Sequence, residues 1–234
     1  MSRLLMLVLL LTPVLTQAAP KPPPDVSLSW SVALDEKGAI TSLEAVNPAY
    51  MPALQTRLEP AIRGWHFTPG KINGQPAPTQ TTLILHLTFE PAGDDDYRVR
   101  LRNFGTGAYY AHTVQPRYPD SALSVRRGGA VMLSVDFDAN GHITGAKPVE
   151  GGVPKPTPDM TRAAMAAVKK WTFKPETIAG HGVPGSALVP ICFSMGQRDC
   201  RWRHDGEDKP LAGDEPLIRD SVVRIDSDIV GSTL

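Results

Sequence analysis

The pattern W-x-F-x-P, followed by a glycine five residues beyond the proline, occurs twice. It reads "IRGWHFTPGKING" at 62–74 and "VKKWTFKPETIAG" at 168–180. A pattern of this length, repeated with its spacing intact, implies two related structural units in tandem. It also dictates a local path. The tryptophan (Trp65, Trp171) ends a helix and packs back on a sheet. Two residues later a phenylalanine (Phe67, Phe173) opens an extended stretch pointing the same way. The proline (Pro69, Pro175) stops the helix from continuing. The glycine (Gly74, Gly180) turns the chain so that a final strand can return.

The residues upstream agree. "LSWSVALDEKGAITSLEAV" and "VMLSVDFDANGHITGAKPV" each hold an alternating run, a turn and a second run. In the first, Val32 and Leu34 alternate with Ser31 and Ala33. In the second, Val131, Leu133, Val135 and Phe137 alternate with Met132, Ser134 and Asp136. This is the period of a strand with one buried face. Gly38 and Gly141 accept positive φ in the turns, and Asp35 and Asp138 cap the turn backbone. "DANG" lacks the ligand spacing and closing glutamate of a calcium loop. A helix follows in each copy. Asp159 caps "MTRAAMAAVKKW", whose Met160, Ala164, Ala167 or Val168, and Trp171 form one stripe, with Arg162, Lys169 and Lys170 off it. Leu54, Leu58, Ala61 and Trp65 form the matching stripe in the first copy. The closing strands are "TTLILHLTF" and "ALVPICF". The predicted fold is therefore α+β: tandem β-β-α-β units, each a small antiparallel sheet against one helix. Such sheets leave edges that can add an extended peptide as a further strand.

The N-terminus opens with Arg3, an apolar run over 4–15 and small residues at Ala18 and Ala19. That run is short of the roughly 20 apolar residues of a membrane span, so residues 1–19 read as a signal peptide; a retained anchor is the alternative. Cys192 and Cys200, the two cysteines, suit a disulfide in an oxidising compartment. The formal net charge of zero, from 24 basic and 24 acidic residues, carries no nucleic-acid footprint. The six histidines (His66, His86, His112, His142, His181, His204) are scattered. There is no zinc-protease, Walker or dinucleotide motif, and no nucleophile elbow around Ser186 or Ser194. A non-enzyme without cofactor or metal is expected. The predicted division is 20–92 for the first unit, 93–114 for a linker or extra strand ("YRVRLRNF" places Tyr97, Val99 and Leu101 on one face), 115–202 for the second unit, and 203–234 for a loosely ordered tail in which "SVVRIDSDIV" can form a short strand.

The second unit resembles the C-terminal domain of the TonB energy-transducer family, over about 115–195. The resemblance rests on the opening Pro116, Tyr118 and Pro119, on Ala122 and Gly129, on the Asp138–Gly141 turn, and on the alanine-rich helix running into Trp171, Phe173 and Pro175. The first unit is similar but lacks the Tyr-Pro opening. The resemblance implies a periplasmic protein that grips extended segments of outer-membrane transporters or other envelope proteins by strand addition. Full family members are anchored to an inner-membrane motor and carry a long proline-rich spacer. Here "PKPPP" is the whole proline stretch and, at about 3.1 Å per residue, reaches only tens of ångströms. The expectation is a periplasmic protein-binding module. The alternatives are a membrane-linked transducer with an inner-membrane motor partner, and a structural envelope protein that dimerises through its sheet edges.

Overall fold

The computed structural model describes residues 25–93, 96–196, 200–204, 207–210, 216–225 and 229–232. The expected signal peptide and part of the Asp94–Asp96 acidic run lie outside them. No described helix is long and apolar enough to cross a membrane.

The chain begins with β1 (Val26–Leu34) and β2 (Ile40–Ala45), then α1 (Pro52–Arg63). Next come β3 (Phe67–Thr68), the small hairpin of β4 (Lys71–Ile72) and β5 (Gln75–Pro76), and the long β6 (Thr79–Pro91). Two strands follow, β7 (Tyr97–Gly107) and β8 (Tyr109–His112), and one short helical turn, α2 (Asp120–Leu123). Then β9 (Gly129–Phe137), β10 (Ile143–Val149), β11 (Gly152–Val153) and α3 (Pro158–Val168) appear in turn. The segment closes with β12 (Thr172–Lys174), the hairpin of β13 (Thr177–Ile178) and β14 (His181–Gly182), and β15 (Gly185–Phe193). Beyond it lie β16 (Arg201–His204), β17 (Glu207–Pro210), β18 (Leu217–Ile218) and β19 (Arg224–Ile225). The fold is strand-rich and mixed, with few helices.

In one sheet β1 lies between β2 and β6; in another β9 lies between β10 and β15, all antiparallel. Two apolar cores result. One gathers Trp30, Leu58, Ile62, Phe67, Leu83, Leu85 and Leu101. The other gathers Leu133, Val135, Met160, Val168, Trp171, Phe173 and Val189.

Several local expectations change in the folded chain. β1 keeps strict alternation, but β9 does not: Met132 and Ser134 are buried as well. Thr157, not Asp159, caps α3. Its side chain accepts from the Met160 N–H at 3.2 Å, because Pro158 takes the first helical position and shifts the cap back. Asp159 instead pairs with Arg162 and accepts from Ser121 Oγ at 2.6 Å. In α1 the most buried face runs through Gln55, Leu58 and Ile62, while Leu54, Ala61 and Trp65 flank it half-buried. Both helices end before the signature prolines, at Gly64 and Lys169, so Pro69 and Pro175 terminate the short strands β3 and β12.

The described parts of the C-terminal tail are not loosely attached. Val223 and Ile229 are buried in the first core. β19 pairs with β3, setting Ile225 opposite Phe67. The Gly231 N–H donates to the Leu101 carbonyl at 2.8 Å. The sequence-stretch expected to form a strand does so at Arg224 and Ile225.

Candidate functional site

The site is built from the two signature motifs upward. In each hairpin turn an aspartate accepts two backbone N–H bonds: Asp35 from Lys37 and Ala39, Asp138 from Asn140 and His142. The His142 N–H, at 2.8 Å, is the main reason the Asp138 carboxyl sits below its ordinary range. The turn glycine then meets the signature phenylalanine. A Cβ on Gly38 would lie 1.8 Å from the Phe67 carbonyl oxygen, and one on Gly141 would lie 1.8 Å from that of Phe173. The D-x-x-G turn and the W-x-F-x-P motif, read as separate features of the sequence, are two halves of one close backbone contact.

Around Phe173 the aromatic groups converge. Phe137 stacks on it at 4.7 Å, and Tyr110 approaches Phe173 at 5.3 Å and Trp171 at 5.2 Å. The Trp171 indole N–H donates to the Val114 carbonyl at 2.8 Å. Tyr118 lies edge-on to Phe193 and donates its hydroxyl to the Arg127 carbonyl at 2.9 Å, and Pro119 precedes the α2 turn. In the first core Phe67 is buried and Trp65 half-buried. Gly74 and Gly180 take φ of 81° and 80° in the two-residue turns β4–β5 and β13–β14. These residues hold the frame; they do not form a reactive cluster. Among the described residues no group of three His, Cys, Asp or Glu converges on a metal-sized site.

What the frame presents is an edge. β15 pairs with β9 along its whole length, Gly185–Phe193. Among the described residues, its other side meets β18 at Ala187, opposite Ile218, and at Leu188, opposite Leu217, with the Arg219 N–H directed to the Ser186 carbonyl at 3.4 Å. Pro190, lacking an N–H, is the kind of residue tolerated on such an edge strand. At the far end of β15 an open groove of about 560 Å³ is lined by Arg126, Gly128, Pro154, Phe193, Ser194, Met195 and Cys200. Leu123, Val125 and Met195 are exposed apolar side chains at or next to it in sequence. The Cys192–Cys200 disulfide forms and ties this end of β15 to the start of β16.

One site residue escaped the sequence reading. Glu176 is only 5% exposed and lies where both cores and the tail meet. Its carboxylate accepts from Thr81 Oγ1 at 2.6 Å, from Ser221 Oγ at 2.9 Å and from the Val222 N–H at 2.8 Å. Burial pushes its pKa above the ordinary value of 4.5, against the pull of those donors. A signal existed: the residue after the signature proline is Gly70 in one copy and Glu176 in the other.

Comparison with known proteins bears on the same region. The family described as Gram-negative bacterial TonB protein C-terminal matches residues 114–195. "Protein TonB" of Xanthomonas campestris pv. campestris strain B100 is 36% identical over 80 residues, which is 34% of this chain and 34% of that protein. "Protein tonB2" of Pseudomonas aeruginosa is 37% identical over 92 residues, 38% of this chain and 32% of that protein. The chain thus spans about a third of the length of the curated relatives it matches. The matched segment runs from the carbonyl that receives Trp171, through the Gly141–Phe173 contact, to the groove at the end of β15, and residues 114–195 belong to the TonB C-terminal domain family.

Proposed function

We propose that this is a non-enzymatic envelope protein whose second unit recognises an extended segment of an outer-membrane transporter, or of another envelope protein, by adding it as a strand to the β15 edge. The observation that carries the reading is that edge: nine residues long, held by β9 on one side and, among the described residues, paired at two positions on the other. Strand addition supplies affinity through backbone bonds and specificity through side-chain pockets. The groove beside Arg126 and Met195 lies where an added strand would end. The disulfide and the family membership of residues 114–195 favour an oxidising, periplasm-facing location.

We further read residues 20–92 and 115–202 as two copies of one β-β-α-β unit. The shared order β2-β1-β6 and β10-β9-β15, and the matched glycine–phenylalanine contacts, support it. In this reading the first copy serves as a scaffold for the second. A retained N-terminal anchor would make the chain a transducer coupled to an inner-membrane motor; intact mass of the membrane and periplasmic fractions separates the two.

The binding test titrates synthetic peptides copying the N-terminal segments of the same cell's outer-membrane transporters. Amide exchange along β15 is followed throughout. Saturable binding with slowed exchange at 185–193 is expected. Absence of binding by every peptide, or protection that avoids β15, overturns the reading.

A further inference from the structure

The β15 edge already holds a strand from the chain's own tail, and the way that strand is held differs at its two ends. β18 contributes two residue pairs and one further long bond, Arg219 N–H to the Ser186 carbonyl at 3.4 Å. Leu217 remains 46% exposed. Ile218 fills the space over Gly107, where any side chain would collide with it at under 3 Å. Immediately after, the tail is fastened. Ser221 Oγ bonds Thr106 Oγ1 at 2.8 Å as well as Glu176, the Val222 N–H donates to Glu176, and Val223 is buried in the first core. β19 then pairs with β3.

Over the described residues, a strand with two pairs and one long bond next to a firm anchor has the form of a tethered competitor. We propose that residues 217–219 are a built-in occupant of the β15 edge, released from a tail that stays clasped at Glu176 when an extended segment pairs along β15. The proposal rests on the edge-pairing reading above and names how that edge is regulated. Tethering gives such a strand an effective concentration on the order of millimolar, so a free peptide must outcompete it. The two pairs seen among the described residues are fewer than the nine residues of β15 can offer, so an incoming strand of fuller length can win.

The test uses the full chain and a labelled ten-residue peptide copying residues 216–225, the one sequence already seen on this edge. The double variant Leu217→Pro with Arg219→Pro removes N–H donors from β18 and alters two exposed side chains. The expected result is at least tenfold tighter binding of the peptide to the variant than to the unaltered chain, with slowed amide exchange in β15. If the double variant does not fold, Arg219→Pro alone, with at least a threefold gain, serves the same test. Equal affinity for variant and unaltered chain, or no binding to either, overturns the proposal. Transporter peptides run in the same assay separate the two readings. If they bind β15 with equal affinity in both chains, only the tethered competitor falls. If neither peptide class binds either chain, edge pairing falls as well.

Discussion

β6 and β15 occupy the same place in their sheets, each beside the central strand, but their outer edges have different fates. The edge of β6 is closed. β7 pairs with it from Thr82 to Pro91, and β13 covers it at Thr79 and Gln80. Among the described residues, the edge of β15 is met at two positions, by a strand from the tail. Closing β6 is local chemistry, because β7 follows after a short turn and can fold back as a hairpin, whereas occupying β15 requires a segment from far along the chain. Loop closure costs more for the distant segment, and the pairing it achieves is shorter. The same strand position is therefore paired along most of its length in one half and, among the described residues, at two positions in the other.

The largest test strikes the closed edge. Leu101, fully buried on β7, replaced by alanine should cost about 2–5 kcal/mol by loss of packing, read as a lowered midpoint in chemical denaturation. A cost near zero would mean that β7 is no part of the first core. Next come the turn glycines. Gly38→Ala and Gly141→Ala should each cost about 3 kcal/mol, from positive φ and the collision with a carbonyl together. Clearly unequal costs would break the equivalence of the two halves at this joint.

Glu176→Gln removes one acceptor from a site with three donors and should cost about 1–3 kcal/mol below pH 4.5, and less at neutral pH. It also carries a pH signature. Because burial raises the folded-state pKa of Glu176 above 4.5, the folded chain holds that proton more readily than the unfolded one. The contribution is fully present below 4.5 and is lost as pH rises through the raised value. Subtracting the variant's stability profile from that of the unaltered chain should isolate this fall. His86, which burial holds below 6.5, slopes the other way and cancels in the subtraction. A flat difference would show that the carboxyl is not the titrating group.

The second hairpin turn is smaller in effect. Asn73-Gly74 suits a turn with two positive φ values, but Ala179 adopts φ 49° without the side chain that makes it easy. Ala179→Gly should gain about 0.5–1 kcal/mol, visible as a higher thermal midpoint. Smallest is Leu217→Ala on the open edge, expected within about 0.5 kcal/mol because the side chain is half exposed. Set beside Leu101→Ala, it measures the difference between the two edges directly.

Much of the frame was legible from the residues. The turns at Asp35 and Asp138, the buried faces of β1 and α3, the two-residue turns at Gly74 and Gly180 and the single cysteine pair all follow from rules acting over a few positions. The helix cap was misplaced by two residues because Pro158 moved it, and the stripe of α1 was rotated because Gln55 found carbonyl partners at Asn47 and Tyr50. The candidate site was less legible. How far an edge is paired depends on segments distant in the chain, and no stretch of β15 states that.

The sequence by itself determined the separate halves of two joints, the turns at Gly38 and Gly141 and the extended phenylalanines Phe67 and Phe173, because each half is a short motif that recurs; the folded chain brings the halves together. Tertiary structure alone decided that β7 closes the first sheet, that β19 covers Phe67 where β8 covers Phe173, that β18 sits on β15, and that Glu176 lies buried among Thr81, Ser221 and Val222. The physical reason is range: turn and strand preferences are set by neighbours in the chain, whereas edge pairing and the burial of a charge depend on segments that meet only once both cores have formed.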